Sequence, residues 1–213
     1  STCATIRAAC CMAPSKRAPK QSELSSRDLA RIVLILTLTS TFGSLLFNFT
    51  TNGNGELLAH RMQAITQDPA RLGLLLGLVY TVASFAQVIV GRAIDRFPLK
   101  RLFLAIVLMQ IPLFVLAAYA QGWSFYVLAI AFMAFVFGAI PFTDALIVRY
   151  VDDRMRSRVA GVRLAIAFGA SSLAVWLLGP LVKANGFGFL LGLMAVIAMA
   201  SAIAVLFLPQ SRN

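Results

Sequence analysis

Charge is scarce in this chain. Of its 213 residues 13% are charged, against about 25% in an ordinary soluble domain. Histidine occurs once, as His60, and Asp and Glu together number eight. Membrane-embedded enzymes gather His, Asp or Glu to hold metal or move protons, and these few, scattered residues argue against one. No Gly-rich phosphate loop with a Lys is present, which argues against an ATP-driven pump. The three cysteines, Cys3, Cys10 and Cys11, lie in the first eleven residues, and that excludes a disulfide scaffold. They have no His beside them for a metal site. Palmitoylation is disfavoured too, because the first apolar run starts about twenty residues later. They read as reduced thiols on a polar arm, and no metal or other cofactor is expected. Ser1–Arg31 holds no long apolar run, so no secretory signal is expected there.

What is abundant is apolar surface. Hydrophobic residues make up 60% of the chain and the mean hydropathy is +0.84. A water-soluble fold of this size cannot bury that much, because a large share of any folded chain stays at its surface. The solvent implied is lipid. A helical crossing of about 30 Å of hydrocarbon takes roughly 20 mostly apolar residues. Six runs qualify, at 32–49, 72–90, 102–120, 123–148, 164–182 and 187–208. Each is apolar on all sides, without the two-residue alternation of a barrel strand, so helices are expected. The fold class is an all-α membrane protein with a transmembrane domain over 29–209. Residues 1–28 read as a disordered cytoplasmic tail or linker, and 210–213 as a short cytoplasmic C-terminal tail.

The connections carry turn chemistry. Asp68-Pro69 reads as a helix cap followed by a first-turn proline. Gln121-Gly122 and Asn185-Gly186 are short enough to force antiparallel neighbours. Between Gly53 and Gln67, the residues Leu58, Met62 and Ile65 keep helical spacing. That segment is either a short surface helix or a continuation of the first span.

The formal net charge is +11, and its distribution argues against nucleic acid. If six helices alternate, sixteen of the nineteen Lys and Arg fall on one side of the membrane, leaving only Arg61, Arg71 and Lys183 on the other. That is the positive-inside pattern, with both termini cytoplasmic in a cell (inner) membrane. Basic loops against an anionic leaflet account for the high pI.

One basic loop is more specific than its charge. Between the second and third runs stands Gly91-Arg92-Ala93-Ile94-Asp95-Arg96-Phe97-Pro98-Leu99-Lys100-Arg101. This resembles the signature loop of the major facilitator superfamily of secondary transporters. Gly91, Asp95, Arg96, Lys100 and Arg101 fall in register, and Pro98 stands where the family has a second Gly. The stretch from Phe137 through Pro141 and Asp144 to Arg149, then Gly161, Gly169 and Gly179-Pro180, resembles the fourth and fifth helices of a half-transporter in the same family. The resemblance covers about residues 29–209. It implies a six-helix half of a twelve-helix bundle, read here as the second half, with a first half as the alternative because the loop occurs in both. It also implies transport of a small molecule, efflux included, through a permease that needs the other half or a second copy of this chain to enclose a cavity. A non-transporting remnant that binds another membrane protein is the competing reading, and the missing initial Met raises a fragment.

Within the loop, Asp95 can pair with a cation on a neighbouring helix in one state and release it in another. Arg149, at the inner end of the fourth run, is the partner expected. Asp144 is the sole acid inside an apolar run. It reads either as a coupling carboxylate or as an ion pair with Arg149 or an Arg of the following loop, the latter favoured by its shallow depth. Asn48, before Thr50-Thr51-Asn52-Gly53, could sit at an opened helix end. Tyr80 and Gln87, seven apart, share a helix face. Asn48, Tyr80 and Gln87 are the expected cavity residues. Gln110, Ser171 and Ser172 are weaker signals. The pairs Gly73/Gly77 and Gly188/Gly192 read as helix-packing positions, and Pro112 and Pro141 as bends.

Overall fold

The computed structural model describes residues 26–150 and 153–207. The basic tail and its three cysteines therefore lie outside the described residues, as do 151–152 and the last six. Among the described residues the chain forms helices and no strand: α1 Ser26–Arg61, α2 Pro69–Ile94, α3 Leu99–Tyr119, α4 Gly122–Tyr150 and α5 Asp153–Leu206. All five are long and apolar enough to cross a membrane.

Five elements stand where six were expected, and the difference lies in α5. Its 54 residues would measure about 80 Å as one rod, far beyond a bilayer. It is not one rod. Gly186 leaves helical geometry at φ 78°, ψ 172°, a region essentially reserved for glycine. Val159 and Val205, near opposite ends of α5, lie in one apolar cluster, although a straight helix would hold them about 70 Å apart. Leu178 and Leu190 both approach the place a Cβ on Gly53 would take, at 3.6 and 3.7 Å. The chain therefore doubles back at Gly186. Only this residue breaks the pattern, so the arms 153–185 and 187–206 run together as one element.

Of the two expectations for 53–67, the continuation holds up to Arg61. The first span does not end at residue 49 but runs on as α1 to Arg61. Asn48 and Asn52 do not open it. Their Nδ2 groups donate to the carbonyls of Ser44 and Asn48, one turn back, at 2.8 and 2.9 Å. Thr50 does the same to Leu46 at 2.8 Å. Side chains that satisfy the helix they sit on leave no reason for it to unwind.

The expected caps and turns are present. Asp68 precedes α2 in extended conformation, accepts from the Ala70 N–H, and is followed by Pro69 at the first turn. Two residues, Ala120 and Gln121, join α3 to α4.

α1 packs on α5, α2 on α4, and α3 between α5 and α4. Gly138 permits a close approach of α4 to α2, since a methyl there would stand 3.1 Å from Val90 Cγ2. Two apolar cores stack along the bundle. One gathers Leu57, Met62, Phe125, Tyr126 and Leu190. The other gathers Ile35, Leu99, Phe142, Leu146, Val159 and Val205. The second collects the start of α1, the α2–α3 turn, the α4–α5 junction and the end of α5. The α2–α3 turn therefore lies at the same end of the bundle as the start of α1 and the two outer ends of α5. The outer surface is apolar, with Leu74, Phe85, Ile89 and Trp176 strongly exposed, as suits a body whose surroundings are lipid.

Gly73 and Gly77 have no atom within 4 Å of an added Cβ. The pair is exposed and packs against nothing among the described residues. Gly188 meets the Ala118 carbonyl at 3.8 Å, whereas Gly192 meets nothing.

Candidate functional site

A cavity of about 370 Å³ opens at the junction of the two cores, with Leu46 and Val136 on one side and Phe103 and Val107 on the other. Its walls come from α1, α3, α4 and both arms of α5. The size falls within the usual range for small-molecule sites, roughly 300–1,000 Å³. The walls are mainly apolar, with polar groups from Thr39, Ser40, Ser44, Gln110, Thr143, Asp144, Arg163 and Ser201.

Three of these lining residues carry buried atoms without a partner. They are Thr39 Oγ1, Gln110 Oε1 and Arg163 Nε. Thr39 is 3% exposed, Gln110 1% and Arg163 8%. The neighbouring Thr37 and Thr41 do satisfy themselves, each donating to a carbonyl one turn back at 2.8 Å. Gln110 is half satisfied, since its Nε2 donates to the Phe135 carbonyl at 3.0 Å. A native interior rarely leaves such atoms unmet, and those it leaves call for a reason. Three of them, from α1, α3 and α5, line this one cavity.

Asp144, on α4, lines the same cavity. Arg163 Nη2 donates to its Oδ1 at 2.8 Å. The pair is lopsided, with 9% of the Arg163 side chain exposed and 72% of that of Asp144. Asp144 is thus in an ion pair with an Arg of α5. The Arg149 side chain lies outside the described residues.

The other expected cavity residues, Asn48, Tyr80 and Gln87, do not line this cavity, and the first two bind helices together. Asn48 Nδ2 also donates to Ser171 Oγ at 2.9 Å, joining α1 to α5. The Tyr80 hydroxyl donates to the Thr51 carbonyl at 3.0 Å, joining α2 to α1, and its ring packs on Phe137. Gln87 is half-buried on α2. Ser172 returns its hydroxyl to the Phe168 carbonyl.

Sequence reasoning placed Gln110 on no particular face, counted Arg163 among the loop charges, and passed over Thr39. A usable signal existed for Arg163. It is a cation followed at once by Leu164-Ala165-Ile166-Ala167-Phe168, so it enters the apolar run instead of flanking it, where an ionisable group is costly unless used.

The basic loop is a compact turn. α2 ends at Ile94 and α3 begins at Leu99. The backbone N–H groups of Asp95, Arg96 and Phe97 all turn back to the Ala93 carbonyl. Pro98 takes the cap position of α3 at φ −59°, so the turn closes on the angle a proline ring fixes, without the positive φ a glycine would supply. Asp95, Arg96 and Arg101 are exposed and Gly91 is half-buried with no neighbour within 4 Å of an added Cβ. Among the described residues Asp95 makes no ion pair. Lys100 Nζ donates to the Leu206 carbonyl at 2.8 Å, placing a cation on the C-terminal end of α5, where orphan carbonyls and the helix dipole favour it. At the opposite end of the bundle Arg61 Nη2 donates to the Ala118 carbonyl near the end of α3 at 2.7 Å. Its guanidinium also lies 5.9 Å from the centre of the Phe125 ring.

Residues 26–213 match a family model described as Major Facilitator Superfamily. No curated protein matches the chain.

Proposed function

The chain belongs to the Major Facilitator Superfamily, a family of transporters, and from that premise we propose that it carries a small molecule across a membrane by alternating access, as a six-helix half of an MFS-type bundle. It acts with another six-helix half or with a second copy of itself, because alternating access rocks one half against another. It sits in the cell (inner) membrane with both termini cytoplasmic, as the basic residues on one side favour. The observation that carries the reading is the cavity wall, with Thr39, Gln110 and Arg163 holding buried, unmatched polar atoms inside a lipid-facing helical body. Polar groups are costly at such a depth and are kept for use.

The turn bearing Gly91, Asp95, Arg96, Lys100 and Arg101 acts as the conformational latch, with Asp95 free to take a cation from a neighbouring helix in another state and Arg149 as its partner. Asp144 is the coupling carboxylate: its exposed position on the cavity lining lets it release Arg163 as the cavity changes occupant. The reading is tested by flux in proteoliposomes made with this chain alone, with a candidate first half alone, and with both. Counterflow of a labelled solute in the paired preparation, lost on Asp144→Asn, is the expected result. No flux in any preparation over a broad solute panel would leave the chain a non-transporting partner.

A further inference from the structure

The Arg163–Asp144 pair leaves half of a recognition surface empty. A guanidinium presents Nε–H and Nη2–H side by side, and this edge matches the two oxygens of one carboxylate. Asp144 supplies one oxygen, to Nη2 at 2.8 Å, while Nε stays buried without a partner. The cation is the buried member and its counter-ion the exposed one. A charge taken out of water needs a well-placed partner, and here it holds an incomplete, removable one.

Resting on the transport reading above, we propose that the side-on edge of Arg163 anchors a carboxylate of the transported molecule, and that Asp144 stands in for that carboxylate when the cavity holds no ligand. The rest of the wall gives the ligand's other features. Phe47, Phe103, Val107 and Ile140 supply an apolar surface. Gln110 Oε1 can only accept, and the Thr39 hydroxyl can accept as well, so the apolar body carries a hydroxyl or N–H at some distance from its acid group. The class is a small organic monocarboxylate. Its binding frees Asp144 at the exposed rim, which ties occupancy of the cavity to the state of that acid.

The test is equilibrium binding to the full chain in nanodiscs. The probes are labelled hexanoate, octanoate, benzoate and para-hydroxybenzoate, each beside its neutral carboxamide. At least one acid should bind about tenfold more tightly than its amide, the difference a charge-assisted pair makes. Arg163→Lys keeps the charge but loses the parallel edge, and should weaken that acid by about tenfold. Asp144→Asn removes the competitor and should tighten it severalfold. Amides that bind as well as acids, a panel in which no acid binds, Arg163→Lys with native affinity, or Asp144→Asn with weakened affinity would each overturn the assignment. The acid–amide comparison uses the native chain, so it stands whether or not a variant folds. Binding is read without flux: transport of other solutes would survive failure here, and carboxylate binding without flux would fault the transport reading alone.

Discussion

Gly186 offers a test of the hairpin in α5 on which the cavity depends, since both arms of α5 contribute wall residues. The perturbation is Gly186→Ala. An added Cβ would meet no atom within 4 Å, so packing contributes nothing to the cost. What remains is backbone geometry. At φ 78°, ψ 172° an L side chain is strained by about 1–3 kcal/mol. The residue is not helical, so alanine recovers none of its usual advantage over glycine. Gly169→Ala on the same helix is the control. That glycine is helical, with open space around an added Cβ, and alanine should stabilise it by roughly 0.5–1 kcal/mol. The two substitutions are chemically identical and should have opposite signs. Thermal unfolding of the detergent-solubilised chain, followed by circular dichroism, reads both, at about 2–4 °C per kcal/mol for a chain of this length. If Gly186→Ala matched or exceeded the native chain, helix would pass through this position undisturbed, and the doubling back of α5 would be refuted.

Thr39→Val removes a buried hydroxyl that has no partner, so it should raise stability by about 1 kcal/mol in the same unfolding assay, while lowering ligand affinity; a fall in stability would show that the hydroxyl is already satisfied. Arg61→Met gives up the bond to the Ala118 carbonyl and the stacking on Phe125, and should cost about 1–3 kcal/mol, with Arg61→Lys intermediate. Single cysteines at Lys100, Arg158 and Lys183, in a chain whose native cysteines are replaced, should divide by membrane-impermeant labelling into Lys100 with Arg158 on one face and Lys183 on the other. Labelling of Lys100 and Arg158 from opposite faces would break the bundle described above.

The helical body was readable because its causes are local. Runs of apolar residues longer than a bilayer is thick leave the backbone no alternative but to satisfy itself, and Asp68-Pro69 and Gln121-Gly122 mark their boundaries through capping and turn chemistry that needs no distant partner. The length of α1 was less legible. Asn48, Thr50 and Asn52 have side chains that can either break a helix or bond back to it, and only the surrounding packing decides. The cavity was least legible. Whether Thr39 or Gln110 faces an empty space or a neighbour depends on how four helices cross, and no sequence period encodes that. Arg163 was hidden by its company, since four arginines at 149–158 precede it and make it look like one more anchor in the headgroups.

The two cationic caps have a mechanical consequence. Near its beginning α3 carries Lys100, which grips the last turn of α5; near its end it offers the Ala118 carbonyl to Arg61 at the tip of α1. α3 is therefore pinned axially at both ends, by two different neighbours. Sliding it by a single turn, about 5.4 Å, would strip both carbonyls of their donors where few other donors exist. α2, the least buried of the five, is held differently, by two tyrosine hydroxyls along its length: Tyr80 donates to the Thr51 carbonyl of α1, and Tyr126 of α4 donates to the Leu75 carbonyl of α2. Neutral bonds of this kind are weaker than charge-assisted ones, so a rearrangement within the half should break them before it moves α3.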